Sequence, residues 1–398
     1  MSLSDEPVYL DNHATTRVDP RVVSVMLPFF QTVYGNAHST GHGFGQRARE
    51  AVEAARNRIA QSVGAHTSDE IVFTSGATES NNLAIQGIAL RPRLKGRHII
   101  SVQTEHRALL DPLARCQRNG FEVTLLPPRQ HPSRDAGRVD VDQLRETLRD
   151  DTVLVSVMWA NNEIGVIQPI SDIARLCRER GVLFHTDATQ ALGKANIDFT
   201  QIDVDLASFS AHKLHGPKGV GALYVRQSPR RTRLIPLLEG GGQEQGFRSG
   251  TLNVPGIVGF GRAVELALDE LPTEITRTRS LRDRLYQGII AADETIALNG
   301  PALNDPELRL ANNLNLCFGD CQGDAMMLAM PQVAVSSGSA CTSVNPEPSH
   351  VLQAIGRDVD KARSSLRFGL GRFNDERDIE IAVHAITSAL AKLRKLAK

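Results

Sequence analysis

A lysine and an aspartate each follow a short apolar run directly, where a strand would end. Lys213 lies in SFSAHKLHGPKG after VDLASF, and Asp187 closes VLFHTD. A lysine that forms a Schiff base must be desolvated enough to act as a nucleophile at neutral pH. A carboxylate at a sheet edge can hold a charged ring nitrogen, although a solvated loop lysine and a helix-capping aspartate are the ordinary alternatives. Together the two residues indicate chemistry on a pyridine-ring cofactor such as pyridoxal phosphate (PLP).

Such a cofactor also needs a phosphate cup. Ser75-Gly76-Ala77-Thr78 opens a predicted helix, so free backbone amides and the Thr78 hydroxyl could bind phosphate there. Ser210 and His212 flank the lysine loop and could complete the cup. Capped helices are common, so this pattern predicts a phosphate site only together with Lys213 and Asp187.

Three further polar residues follow predicted strands. His106 in QTEH could lie over the ring and transfer protons near neutral pH, although a single histidine is more often structural. Gln190, three residues after Asp187, could reach the ring oxygen. Asn161 in ANNEIG is a second candidate for that oxygen, and a turn asparagine is its alternative.

Cys341 lies among small residues in VAVSSGSACTSVNPEPSH, which predicts a mobile loop rather than a packed core. A thiol on such a loop can approach a substrate, whereas a thiol in a core is usually inert. Cys317 and Cys321 form only a C-x3-C pair, which is poor evidence for zinc, so we predict no metal site. Cys116 and Cys177 fall in helical patterns and are expected to be packing residues.

Arg367 in SSLRFGLGRF is a candidate for binding a substrate carboxylate, because a guanidinium grips a carboxylate through two parallel hydrogen bonds. Arg363 and Arg372 stand close by in the sequence. Spacing alone does not choose among the three arginines.

From about residue 43 to 225, short apolar runs alternate with amphipathic segments, which predicts a mostly parallel sheet covered by helices on both faces. In such sheets the ligand site lies beyond the carboxyl ends of the strands. After about residue 262 the pattern changes, and we expect a long helix at about 264–292, a short strand near NLNLCF and a C-terminal amphipathic helix, which together would form a second, smaller domain. The predicted strands are 70–74, 98–102, 121–126, 153–158, 182–186 and 204–209.

The composition and charge of the sequence argue against several classes of protein. The 398 residues suit two domains, and the 45 basic and 45 acidic side chains cancel, so no net charge favours nucleic acid or anionic membranes. No apolar run reaches the ~20 residues that a membrane span requires. Five irregularly spaced cysteines do not suggest a disulfide framework, and the acidic start does not resemble a secretory signal. We therefore expect a cytoplasmic protein.

Nine motifs in order resemble the first group of the cysteine desulfurase family, the iron–sulfur-cluster and nitrogen-fixation branch. The resemblance covers about residues 8 to 390. The motifs are YLDNHATT, FTSGATESNN, TEHRALLD, NNEIGVIQPI, HTDATQALGK, SFSAHKLHGPKG, GGGQEQGFRSGT, SSGSACTS and SLRFGLGRF.

The resemblance implies the fold type I of PLP-dependent transferases, an α/β fold with a seven-stranded sheet. Residues 17–262 would form the large domain, and residues 1–16 with 263–398 a smaller α/β domain carrying Cys341. It also implies a homodimer that takes sulfur from L-cysteine, leaves L-alanine and passes the sulfur from a Cys341 persulfide to an acceptor or cluster-scaffold protein, with which Cys341 would transiently share a cluster.

The resemblance assigns a role to each site residue. Lys213 would bond PLP, His106 would stack on the ring, and Arg367 would bind the substrate carboxylate, with Asn36 also touching substrate. The remaining cofactor contacts would be Ala77, Thr78, Asn161, Asp187, Gln190, Ser210, Ala211, His212 and, from the neighbouring subunit, Thr251.

Two positions depart from the family pattern: Ala211 replaces a usual glycine and Ala37 a usual proline. Aminotransfer or selenocysteine lysis on the same fold are competing activities, and a catalytically silent binding protein is a competing class. Cys341 argues against aminotransfer, and the presence of Lys213 and Asp187 argues against a silent fold. The sequence leaves open whether sulfur goes to clusters, tRNA, cofactors or DNA.

Overall fold

A computed structural model of the chain describes residues 6–228, 231–337 and 347–396. The predicted persulfide residue, Cys341, lies outside these ranges. No helix in the described ranges has the length and apolar character that crossing a membrane would take.

The strands of the described residues form three sheets. The largest has seven strands in the order β2-β8-β7-β6-β5-β3-β4, a second has the order β12-β10-β9, and β1 pairs with β11. The strands are β1 Val8–Tyr9, β2 Ile71–Thr74, β3 His98–Val102, β4 Glu122–Leu126, β5 Thr152–Ser156, β6 Leu183–Asp187, β7 Leu206–Ser210, β8 Gly221–Val225, β9 Ala297–Leu298, β10 Asn313–Cys317, β11 Val333–Ala334 and β12 Ser365–Gly369.

Helices cover the sheets. They are α1 Pro20–Met26, α2 Pro28–Gln31, α3 Gly43–Ser62, α4 Ala77–Ala89, α5 Arg107–Arg118, α6 Val141–Thr147, α7 Ile170–Arg180, α8 Val254–Asp269, α9 Leu271–Ala292, α10 Gly323–Ala329, α11 His350–Ala354, α12 Val359–Arg363 and α13 Glu376–Leu396.

The seven-stranded sheet confirms the predicted α/β class. Neighbours among β3, β4, β5, β6 and β7 pair in parallel. All residues of β3, β6 and β7 are buried, as expected for strands covered on both faces. The six predicted strands all form, with ends that differ from the predicted ones by at most two residues.

Two features differ from the sequence-based expectation. The seventh strand, β8, was not predicted, and it lies antiparallel between β2 and β7. The predicted helix 264–292 is two helices, and the first begins ten residues earlier, at Val254, where the Asn253 side chain accepts a hydrogen bond from the Gly256 amide. Pro272 lies in the first turn of the second helix, a position that proline tolerates, which accounts for the new start after Asp269.

Two large clusters of buried apolar side chains accompany these sheets. One packs on the seven-stranded sheet and includes Phe184, Phe209 and Phe260. The other joins β1, β10, β12, α9 and α13, and includes Leu10, Leu316 and Phe368. The N-terminal segment therefore packs with the C-terminal part of the chain, which is the arrangement that matters for the site described next.

Candidate active site

The carboxyl ends of the central strands carry the predicted site residues to one edge of the sheet. Thr78 follows β2, His106 follows β3, Asn161 follows β5, and Lys213 follows β7. Asp187 is the last residue of β6. Contacts between these segments, described below, show that the strand ends converge as the sequence pattern predicts.

Asp187 is a buried carboxylate that forms no ion pair with any residue of the described ranges. Its Oδ2 accepts a hydrogen bond from Asn81 Nδ2 at 2.7 Å, and its Oδ1 accepts one from the Thr189 amide at 3.0 Å. Burial lowers the pKa of the adjacent His185 to about 4, so that ring is neutral. A buried charge without a partner is costly. The site therefore fits a cationic ring nitrogen, the group that PLP presents.

Lys213 ends a 3-10 helix, Ala211–Lys213, directly after β7. Its Nζ donates hydrogen bonds to the carbonyl oxygens of His13 at 2.7 Å and Ala14 at 2.6 Å. The lysine is only partly exposed. The N-terminal segment thus holds the amine close to the strand ends.

The predicted phosphate cup lies around the start of α4. Gly76, which precedes the helix, has a φ of +149° and offers no side-chain cap, so the first amides of α4 are left to other partners. A Cβ added at Gly76 would lie 3.8 Å from Ser210 Oγ, which places the serine beside this turn. The arrangement fits a phosphate group, and the contact of Ala77 and Thr78 with it stays a prediction.

The remaining cup residues pack on the lysine loop. His212 Nδ1 lies 3.0 Å from the Thr15 hydroxyl, and burial and nearby lysines lower the pKa of His212 to about 4. Ala211 is fully buried, and a Cβ added at Gly216 would lie 2.9 Å from the Ala211 Cβ. The alanine that replaces the usual family glycine is therefore accommodated by a glycine opposite.

His106 caps the start of α5, where its Nδ1 accepts a hydrogen bond from the Ala108 amide at 3.0 Å. Burial and the positive charges of Lys213 and Arg367 lower the pKa of His106, against the opposing effect of Asp187. The neutral ring therefore carries its proton on Nε2. The residue is suited to donate a proton from that atom.

The amides of Asn161 and Gln190 are engaged within the protein. Asn161 Oδ1 accepts from the amides of Glu163 and Ile164, and its Nδ2 donates to the Thr104 carbonyl. This is the geometry of the turn asparagine that the sequence left as an alternative. Gln190 binds His13 and Lys194. Contact of either amide with a cofactor stays a prediction.

The structure separates the three candidate arginines. Arg367, on β12, is 3% exposed, and its Nη2 lies 2.8 Å from Asp11 Oδ1. Its Nη1 donates to the Asn162 carbonyl at 3.2 Å, which brings it to the loop after β5. Arg363 is exposed at the end of α12, and Arg372 is paired with Asp19 and Glu270. Arg367 is thus the arginine nearest the strand-end edge.

Described residues on both sides of the Cys341 segment meet the site. Ser336 forms a backbone bridge with Arg367. On the far side, the Ser349 hydroxyl donates to Glu163, and His350 Nε2 donates to the Glu105 carbonyl at 2.9 Å. The described residues that flank the segment containing Cys341 in the sequence therefore lie beside the site.

Two predicted residues are not brought to this group within one chain. Asn36 lies in an exposed loop, where its Oδ1 accepts from the His38 amide at 3.0 Å. Thr251 is exposed on the segment before α8. Their assigned roles stay predictions. Within the described residues, no group of three or more His, Cys, Asp or Glu side chains is arranged to hold a metal ion.

Sequence reasoning missed several residues that the structure places here: Asp11, His13, Asn81, Glu163 and Lys194. Asp11, His13 and Glu163 each bind a partner more than 170 residues away in the chain. Asn81 binds Asp187, 106 residues away, and Lys194 binds Gln190 within its own turn. The polar residues of YLDNHATT, which directly follow a short strand, were the sequence signal that could have indicated Asp11 and His13.

The class-V aminotransferase family model matches residues 8–381. This chain belongs to that family. Its members are PLP-dependent, which confirms the predicted cofactor. Curated relatives include a protein named cysteine desulfurase IscS from Anaeromyxobacter dehalogenans, 53% identical over 98% of this chain and 94% of the relative. Another of the same name from Histophilus somni is 50% identical over the same shares.

Solved structures of similar proteins match the fold of this chain. A NifS-like protein superposes with a TM-score of 0.88 at 37% identity, over 97% of this chain and all of the other. A structure of SspA in complex with cysteine has a TM-score of 0.78 at 36% identity, over 91% of this chain and 98% of the other. The predicted fold type I of PLP-dependent transferases is confirmed.

Proposed function

We propose that this chain is a PLP-dependent cysteine desulfurase that converts L-cysteine to L-alanine and receives the sulfur on Cys341. One observation supports the site assignment: Asp187 is a buried carboxylate that is not ion-paired with any described residue, and it lies at the same sheet edge as the partly buried Lys213. The relatives named cysteine desulfurase, about half identical over nearly the whole chain, supply the reaction class.

The residues that would hold PLP divide by the part of the cofactor they meet. Lys213 would hold the cofactor covalently, Asp187 would pair with its ring nitrogen, and His106 would lie against the ring. PLP, when bound, supplies an electron sink for negative charge at the substrate Cα. The remaining contacts would be Asn161 and Gln190 at the ring oxygen, and Ala77, Thr78, Ser210, Ala211 and His212 at the phosphate, with Thr251 of the partner subunit.

The chain's own side chains then carry substrate and protons. Arg367 binds the cysteine carboxylate, Lys213 accepts the Cα proton, and His106 can donate the proton that its Nε2 carries. The Cys341 thiolate attacks the substrate sulfur, so that an S–S bond forms while the C–S bond breaks with its electrons going to the β-carbon. Protonation of the β-carbon and return of a proton to Cα complete L-alanine, and Cys341 keeps one added sulfur.

We propose a homodimer, since Leu27, Phe30, Tyr34 and Phe44 form an exposed apolar group in the region of α1 to α3, and each is at least 44% exposed. Such groups on single chains mark protein interfaces. A second copy is also the source proposed for Thr251. Light scattering on the purified protein tests this, and a monomer at micromolar concentration would contradict it.

We further propose that the persulfide is passed to a sulfur-acceptor or cluster-scaffold protein in the cytoplasm. The four described cysteines are unpaired, which suits a reducing compartment. The division into a large domain of residues 17–262 and a small domain of residues 1–16 and 263–398 is likewise our proposal, and the two apolar clusters support it.

The test of function uses Lys213→Ala beside the wild-type holoenzyme. The wild type should purify yellow, release alanine from L-cysteine and gain one sulfur by mass. Lys213→Ala should lose the cofactor absorbance that borohydride abolishes in the wild type, and all alanine release, because the covalent link and a proton carrier are gone. Alanine production near the wild-type rate in the variant would overturn the assignment, and a colourless wild type would favour the silent fold.

A further inference from the structure

Lys194 is a partly buried lysine for which the reaction described above has no role. It lies in the turns that follow β6, and its Nζ donates a hydrogen bond to Gln190 Oε1 at 2.8 Å. It forms no ion pair with any residue in the described ranges. It also lines a cavity of about 60 Å³ that Lys213 lines too. Buried lysines are rare unless paired, so its position calls for an explanation.

Lys194 faces an amide whose orientation can be deduced. Gln190 lies 3.0 Å from the His13 carbonyl oxygen, which only accepts hydrogen bonds, so the amide atom there is the donor Nε2. The opposite atom, Oε1, therefore faces Lys194, which donates to it. A flipped amide would set two acceptors against each other at His13 and break both contacts.

The same amide fixes the proton position on His13. Gln190 Oε1 lies 3.1 Å from His13 Nδ1, so Nδ1 carries the proton and Nε2 is the bare nitrogen. Burial, and then the charge of Lys194, holds the pKa of His13 well below its usual range, so the ring is neutral. Nε2 is buried and has no partner among the described residues.

The contacts continue from His13 to Lys213. The His13 carbonyl that accepts from Gln190 Nε2 also accepts from Lys213 Nζ at 2.7 Å, and the Ala14 carbonyl accepts at 2.6 Å. Lys194 and Lys213 thus bind the same turn of the N-terminal segment, one through Gln190 and one directly.

We infer that Lys194 is a positioning residue: through Gln190 it fixes the His13–Ala14 turn, whose carbonyls hold the Lys213 amine whenever Lys213 is not bonded to PLP. The inference rests on the proposed function in giving Lys213 that bond. Lys213 must leave and rejoin the cofactor in each turnover. A fixed resting place keeps the amine oriented for its return, which affects the rate rather than substrate affinity.

The test compares three variants of the full chain. Lys194→Met keeps the apolar stem and removes the amine, and Lys194→Arg restores a donor. Lys218→Met removes an equal charge from an exposed lysine in the Lys213 loop and is the control. We expect Lys194→Met to slow PLP capture by the apoprotein and to lower kcat, each by ~10-fold, the scale of one lost hydrogen bond to a charged group. KM should not change, Lys194→Arg should recover part of the rate, and Lys218→Met should resemble the wild type.

A second measurement needs no turnover. Nitrogen-15 NMR of the apoprotein, with His13 assigned through His13→Gln, should show the proton on Nδ1 in the wild type and in Lys218→Met. Lys194→Met should show exchange between both nitrogens. Unchanged PLP capture and an unchanged His13 tautomer in Lys194→Met would overturn the inference, as would a loss of thermal stability with kcat preserved. A wild type that releases no alanine would instead overturn the proposed function, while PLP capture and the tautomer would still decide the role of Lys194.

Discussion

The guanidinium of Arg367 and the carboxylate of Asp11 form an ion pair with 2.8 Å between Nη2 and Oδ1. The pair joins β12 to the N-terminal segment, next to the turn that holds Lys213. A second contact, from Nη1 to the Asn162 carbonyl, fixes the plane of the guanidinium. Arg367 Nε is buried and has no partner among the described residues. The arginine is therefore oriented before substrate arrives, which favours binding of a planar carboxylate.

Arg367→Lys should raise the KM for cysteine by ~10-fold or more, since a point-charge ammonium cannot reproduce two parallel hydrogen bonds and ~1.4 kcal/mol corresponds to tenfold. The measurement is initial alanine release over a range of cysteine concentrations. Arg363→Lys is the control, because Arg363 is exposed at the end of α12. A KM that moves only in the Arg363 variant would place the carboxylate elsewhere.

Asp187→Asn should retain the fold and lose turnover by orders of magnitude. Asparagine keeps the size of the side chain that meets Asn81 and Thr189, but it carries no charge to keep a ring nitrogen protonated. Alanine release and PLP content are measured together, with Asp172→Asn as a surface control, since Asp172 is exposed on α7. Full activity with full PLP occupancy in Asp187→Asn would contradict the assignment.

The strand-end pattern predicted which edge of the sheet carries the site because two local signals agree there. Apolar runs set the strands, and polar residues directly after them must lie at the carboxyl edge. Asp187 on β6 and Lys213 after β7 follow from this logic alone. Local pattern also placed His106 at the start of α5.

The N-terminal contribution could not be predicted in the same way. Asp11 and His13 reach the site only because β1 pairs with β11 and the segment after it crosses to Gln190, Lys213 and Arg367. Those partners are separated by more than 170 residues, and nothing in the periodicity of residues 8–16 encodes them. The sequence could not select Arg367 over Arg372 for the same reason. The ion pairs that Arg372 forms with Asp19 and Glu270 are tertiary contacts, which sequence spacing does not reveal.

Glu163 should make stability fall as pH rises from about 5 to 7. Burial raises the pKa of its carboxyl from 4.5 to about 7, outweighing the Ser349 hydrogen bond and the Arg367 charge, which lower it. In this window the folded protein keeps a proton that the unfolded chain has released, so rising pH favours unfolding. The loss approaches about 3 kcal/mol for a shift of this size.

Glu163→Gln removes the titration while an amide oxygen can still accept from Ser349. The difference in melting temperature between wild type and variant, measured by calorimetry at pH 5 and pH 7.5, should shift by several degrees in favour of the variant at the higher pH. Glu294→Gln, at an exposed position, should show no such shift. A pH-independent difference between wild type and Glu163→Gln would show that the carboxyl ionises normally in the fold.

Cys341→Ser isolates the sulfur-transfer step, because a hydroxyl is nearly the size of a thiol but cannot accept sulfur at neutral pH. The cofactor residues Lys213 and Asp187 lie on other elements, so the variant should purify yellow and still change its spectrum when L-cysteine is added. Alanine release and the added sulfur, detected by mass, should both disappear.

The four described cysteines are poor substitutes for Cys341, since each is buried. A thiol must become a thiolate to attack sulfur, and burial raises the pKa of Cys116 to about 11 and that of Cys177 further still. Cys321, 6% exposed, is the best matched control because it is the described cysteine nearest in sequence to Cys341. Cys321→Ser should retain both products. Near-normal alanine release from Cys341→Ser, with the persulfide on Cys321 or another thiol, would end the mechanism proposed here, because the attacking sulfur would then come from a cysteine that the fold buries.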